Sequence, residues 1–168
     1  VEAESSASLS QEIMEQVNSF KVQFSGLSDS AKASIVYISY SKDKSFALLT
    51  KLDHIIYKQN GYVAIENPAP CPEADAISVD NHSCRLGKWY YEGIGYEKFR
   101  GTQAYASLEF PHGDVHNYTQ QAYATSRENW QDNPAALDSI INQMQFSEDA
   151  SADVMAQIDA MVEEKHQH

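Results

Sequence analysis

Apolar residues recur at helical spacing along most of the chain. Leu9, Ile13, Val17, Phe20 and Phe24 follow one another at intervals of four, four, three and four. That spacing predicts an amphipathic helix over residues 5–24, with the narrow stripe of a coiled-coil seam. Ser25-Gly26 reads as its stop. Residues 35–41 (Ile-Val-Tyr-Ile-Ser-Tyr-Ser) suit a strand by composition but are too short for periodicity to decide. From Ser45 to Ile65, Phe46, Leu49, Leu52, Ile56 and Val63 mark one side of a second helix, widened by Tyr57 and Tyr62. Three prolines within Pro68-Ala69-Pro70-Cys71-Pro72 then stop it, so residues 67–81 read as a loop.

A short helix is expected over about Ser83–Glu92, carrying Leu86, Trp89 and Tyr90 and ending at Gly93-Ile94-Gly95. Another is expected to start near Pro111, a residue type suited to the first helical turn, and to run through Val115, Tyr118, Ala122 and Tyr123. The last starts after Asp132-Asn133-Pro134 and runs to Glu164, with Ser147-Glu148-Asp149 bending or splitting it. Helices with short links predict an all-α antiparallel four-helix bundle with an extra N-terminal helical segment. Residues 1–25 then form the trailing end of an upstream helix, and residues 31–168 the bundle. A chain opening on Val1 reads as a piece of something longer.

Composition narrows the function. A chain of 168 residues allows one domain, or one domain with an appendage. A net charge of −12 argues against a nucleic-acid partner, because phosphate recognition needs a basic surface. No apolar run is long enough to span a bilayer, so no direct membrane insertion is expected. Two cysteines do not make a disulfide scaffold, which leaves the cytosol as the default.

Of six histidines, His166 and His168 sit in a terminal Lys-His-Gln-His and read as exposed tail. His112 and His116 lie four apart after Pro111, so both imidazoles project from one helix face. With His54 and Cys84 they make a set of three imidazoles and one thiolate, a complete tetrahedral shell that suits zinc. His82 lies two residues from Cys84 and competes for the ion, ranked below His54 because it sits in the loop. Four protein ligands leave no open position for water or substrate, which disfavours an enzyme. Glu109-Phe110-Pro111-His112 contains the Glu-x-x-His unit of di-iron bundles. There is no second copy, and a helix starting at Pro111 leaves Glu109 outside it. Taken singly, Cys84 reads more simply as a small buried hydrophobe and His54 as a satisfied core histidine.

Lys51-Leu52-Asp53-His54, Cys84-Arg85-Leu86-Gly87-Lys88-Trp89-Tyr90 and Pro111-His112-Gly113-Asp114-Val115-His116 together resemble the chemoreceptor zinc-binding domain. The resemblance covers about residues 40–128. It implies a four-helix bundle, usually dimeric, with zinc on His54, Cys84, His112 and His116. Such domains occur on cytosolic ends of bacterial methyl-accepting chemotaxis receptors and on diguanylate cyclases. The N-terminal helix, read as the end of a signalling helix, favours a receptor and implies coupling to its signalling helices.

What the resemblance implies is a sensor. A zinc-bound Cys84 is a thiolate open to oxidants such as hypochlorous acid, so it is the expected redox switch; zinc occupancy is the alternative signal. A purely structural zinc staple for dimerisation is the remaining reading. Asp53 and Asp114, each near a ligand in sequence, are candidates to orient the imidazoles, with solvated acids as the equal alternative. Trp89 and Tyr57, Tyr62, Tyr90, Tyr118 and Tyr123 read as core, and Cys71, on a mobile loop, as a disulfide partner for Cys84 under oxidation.

Overall fold

The computed structural model describes residues 2–67 and 69–167, with side chains from Ser5 onward. Pro68 of the proline-rich segment and His168 of the tail lie outside the described residues. Six helices are present among the described residues: α1 (Glu2–Glu66), α2 (Pro72–Ile77), α3 (Arg85–Tyr91), α4 (Ile94–Phe99), α5 (Gln103–Thr125) and α6 (Pro134–His166). The fold is all-α, with no strand among those residues. The chain divides into two compact units, Val1–Lys42 and Asp43–His168.

Ser25-Gly26 does not stop the first helix, and residues 35–41 are helical. A glycine ends a helix by turning left-handed, and no described glycine has a positive φ. In an ordinary helical conformation Gly26 costs only about 1 kcal/mol against alanine, which a long helix absorbs. The apolar seam of the first unit faces solvent, with Phe20 68% and Ile38 65% exposed.

In the second unit the pairing of residues sets the topology. Along α1, Gly61 meets Thr119 and Ile65 meets Ala122, so this part of α1 runs parallel to α5. Lys44, Lys51 and Lys58 of α1 pair with Glu163, Asp159 and Glu148, so α6 runs antiparallel to α1. Trp89 stacks on Phe46 while Arg85 pairs with Asp53, which makes α3 antiparallel to α1 as well. Four helices of two opposite directions make up the bundle, the shortest of them α3.

The side of α1 that faces the bundle is not its apolar stripe. Leu49, Leu52, Ile56 and Val63 are about half exposed, whereas Ala47, Thr50, His54, Gly61 and Ala64 are buried. Small residues allow a close crossing: a Cβ on Gly61 would lie 2.6 Å from Thr119 Cγ2. Two further expectations fail locally. Pro111 lies inside α5, whose start is set by the Thr102 hydroxyl accepting from the Tyr105 N–H. Ser147-Glu148-Asp149 does not interrupt α6. The Ser147 hydroxyl is paired with Thr119, and Glu148 accepts from Lys58 and Tyr62, so the patch is interhelical contact.

Candidate metal centre

Two helices bring three imidazoles together. His54 comes from α1, and His112 and His116 come one turn apart from α5. All three are buried, His112 to 1% exposure. One ring nitrogen from each lies within 4.8 Å of the others. The rings of His54 and His112, and of His112 and His116, stand 5.1 Å apart edge to face.

Backbone carbonyls set two of the tautomers. The Nδ1–H of His54 donates to the Thr50 carbonyl at 2.9 Å, and that of His116 to the Val79 carbonyl at 2.8 Å. A carbonyl can only accept, so each Nδ1 carries the proton and each Nε2 keeps its lone pair. His54 Nε2 is buried with no hydrogen-bond partner. An orphaned buried acceptor is costly unless something else fills its coordination, and a metal ion does so. Outer partners that orient ligand imidazoles in this way are usual for zinc. Here they are carbonyls rather than Asp53 or Asp114.

Cys84 stands at the edge of the imidazole group, half-buried, with Sγ 3.2 Å from His112 Nε2. It is also the N-cap of α3, where its sulfur accepts from the Gly87 N–H at 3.3 Å. Asp53 pairs with Arg85, the next residue, tying the start of α3 to α1. Asp114 lies away on a cleft against α6 with Phe146 and Asp153.

Burial governs the protonation states. It pushes His112 down to about 2, helped by the neighbouring His54 and His116, and His116 down to about 4 against the pull of the Val79 carbonyl. His54 is lowered by burial too, and the Cys84 thiol is raised by it despite the N–H groups of α3. Without metal the imidazoles are therefore neutral, the form that ligates. Because they resist protonation in the folded state, the unfolded chain binds more protons below the ordinary histidine value of 6.5. The metal-free chain should hold its full stability above that pH and lose it as pH falls, through about 4 for His116 and on to about 2 for His112. Each histidine should add a slope of up to about 1.4 kcal/mol per pH unit. Urea midpoints of the metal-free chain at neutral pH and near pH 5 measure this; equal midpoints would contradict it.

Other expected residues fall elsewhere. His82 is exposed and stacks on Tyr91 at 4.0 Å, outside the imidazole group. Cys71 is not on a mobile loop: it is the N-cap of α2, a helix inside the segment read as a loop, and is buried with Ala64 and Ile77. Both cysteines are free. Glu109 lies inside α5 rather than before it, and accepts from the Tyr91 hydroxyl. His166 is not an exposed tail residue, since its Nε2 lies 2.7 Å from an Asp43 carboxylate oxygen and its side chain is largely covered.

Residues 54–123 match the family model of the chemoreceptor zinc-binding domain. The chain carries a chemoreceptor zinc-binding domain. The match covers a little under half of the chain, begins on His54 and spans Cys84, His112 and His116. No curated protein and no solved structure matched in the same comparisons. The metal of this domain is zinc, and its His54, His112 and His116 are placed to hold it. No described helix is long and apolar enough to cross a membrane.

Sequence reasoning missed one residue of the zinc-binding domain that shapes the site. Gly87 sits against the turn before α3: a Cβ there would lie 2.0 Å from the Asn81 carbonyl oxygen. A glycine inside an apolar helical pattern, three residues after a cap, is the signal that marks such an approach. The carbonyls of Thr50 and Val79 left no such signal, because any residue type supplies one.

Proposed function

We propose that this chain is a zinc-dependent sensory domain of a bacterial chemoreceptor, cytosolic and non-enzymatic, with Cys84 as both fourth ligand and switch. One observation carries the reading: a single sulfur lies 3.2 Å from a buried imidazole nitrogen and also caps α3. Zinc, when bound, supplies the positive charge that keeps a ligating thiol deprotonated. The protein does the rest. Carbonyls aim two imidazoles, burial keeps all three neutral, and the Asp53–Arg85 pair holds the start of α3 against α1.

Hypochlorous acid, a two-electron oxidant, transfers its hydroxyl oxygen to the Cys84 thiolate: the S–O bond forms as the O–Cl bond breaks, chloride leaves with the electron pair, and the sulfur becomes a sulfenic acid. The modified sulfur is a poorer ligand and no longer fits the cap it shares with the Gly87 N–H. The start of α3 is then released from α5. The exposed apolar seam of α1 supports pairing with a second copy, and α1 supports coupling to signalling helices upstream, because it carries both that seam and His54.

Titrating the zinc-loaded chain with hypochlorous acid, while following zinc release with a chromogenic chelator and Cys84 by mass spectrometry, tests the proposal. Zinc release in step with oxygen on Cys84 is expected. A Cys84→Ala chain should dimerise normally, bind zinc at least about 100-fold more weakly, and give no oxidant-dependent change in helix exposure. Zinc release with Cys84 intact would overturn the switch and leave zinc occupancy as the signal.

A further inference from the structure

The outer side of the α5–α6 pair carries a second surface, apart from the metal centre. Two adjoining clefts of about 360 and 540 Å³ run along it and share Tyr118 and Phe146. Those two rings meet at 5.3 Å, Phe146 is half exposed, and Phe110 at one end is 84% exposed. The rim is acidic: Asp114, Asp149 and Asp153 line the first cleft and Asp138 the second, and no lysine or arginine lines either.

That imbalance is specific to this side. The acids of α6 that face α1, Glu148, Asp159 and Glu163, are neutralised by Lys58, Lys51 and Lys44. Between Gln103 and Glu164 the one basic side chain of these types is Arg127. It is committed elsewhere, over the Tyr123 ring and donating to the Ala64 carbonyl. Four carboxylates around an aromatic floor repel one another and favour a cationic occupant. The aromatic floor asks for apolar side chains from the same occupant, which a simple cation lacks.

We propose that the α5–α6 cleft docks a basic amphipathic helix of another protein, its apolar stripe on Phe110, Tyr118 and Phe146 and its lysines or arginines against the rim. The lining of α6 from Ala135 to Asp153 spans roughly 27 Å at 1.5 Å per residue, room for about five helical turns. The N-terminal helix of a second copy does not fit the charge, since residues 1–42 hold Lys21, Lys32 and Lys42 against Glu2, Glu4, Glu12, Glu15 and Asp29.

The probe is a fluorescent leucine–lysine amphipathic peptide of about 18 residues, mixed with the zinc-loaded full chain at about 150 mM salt and followed by anisotropy. Saturable one-to-one binding is expected, weakened roughly tenfold or more by Phe146→Ser, by Phe110→Ser and by Asp149→Asn with Asp153→Asn. The substituted side chains are not core, so circular dichroism should show each variant folded. A peptide with serines in place of the leucines, and one with glutamates in place of the lysines, should not bind. No binding by the wild type, equal binding of the serine peptide, or indifference to these substitutions would overturn the proposal. So would sedimentation showing that Phe146 instead mediates self-association, which would make the cleft an interface between copies.

Discussion

A His112→Ala chain is expected to leave purification with only a small fraction of the zinc carried by the wild type. His112 is the middle imidazole of the group, 5.1 Å ring to ring from His54 and from His116, and the one that meets Cys84. Zinc in structural sites binds with roughly 10–16 kcal/mol, so one ligand of four accounts for about 3 kcal/mol, a loss of about 100-fold or more. Elemental analysis gives the stoichiometry, and competition with a chromophoric chelator gives the affinity. The same change empties a buried position, and truncations of that kind typically cost about 2–4 kcal/mol. It also removes the most strongly depressed histidine. The metal-free variant should therefore start less stable at neutral pH and lose stability less steeply in acid. A variant that keeps full zinc occupancy would place the ion elsewhere.

Gly87→Ala should be the most damaging substitution of a residue that supplies no ligand side chain. The added Cβ would stand 2.0 Å from the Asn81 oxygen and 2.6 Å from the His82 oxygen, both backbone atoms. Backbone cannot swing aside as the end of a flexible side chain can. The turn is further held by the Ser83 N–H donating to the Asp80 carboxylate at 2.7 Å and the Cys84 N–H to the Asp80 carbonyl at 3.2 Å. Either α3 moves off the turn or the turn opens, and both displace Cys84 from His112. A cost of about 3 kcal/mol is expected, at the upper end for overpacking, with zinc bound about 10–100-fold more weakly. Gly101→Ala is the control, since a Cβ there meets nothing within 4 Å. Thermal unfolding with and without zinc separates the two variants. Equal behaviour would mean that the turn before α3 is free to move.

The metal centre was easier to read than the helices that build it. Imidazoles and a thiol are chemically distinctive, and the four-residue step from His112 to His116 states its own geometry. Helix limits are set by weaker, competing effects. Ser25-Gly26 looks like a stop but lacks the left-handed turn that would make it one. Residues 35–41 carry strand-prone side chains, yet a few tenths of a kcal/mol each do not break a helix extending on both sides. Pro111 suits a first turn, but the Thr102 cap and the packing of Tyr105 and Tyr90 recruit the preceding residues. Helices α2 and α4 have six residues each, too few for a period to show. The inward side of α1 was hidden for a different reason. Apart from Ile65 it is made of alanine, threonine, histidine and glycine, while the apolar stripe that periodicity finds stays half exposed.

The most direct test of a His54, Cys84, His112 and His116 shell is zinc X-ray absorption on the purified wild-type chain, with no metal added. The expected spectrum has one sulfur at about 2.3 Å and three nitrogens at about 2.0–2.1 Å, with zinc near one per chain. In Cys84→Ala, loaded with added zinc because its affinity is lower, the sulfur contribution should vanish while the nitrogens remain. A wild-type shell of nitrogen and oxygen alone would contradict the assignment of Cys84, leaving three imidazoles and an open position.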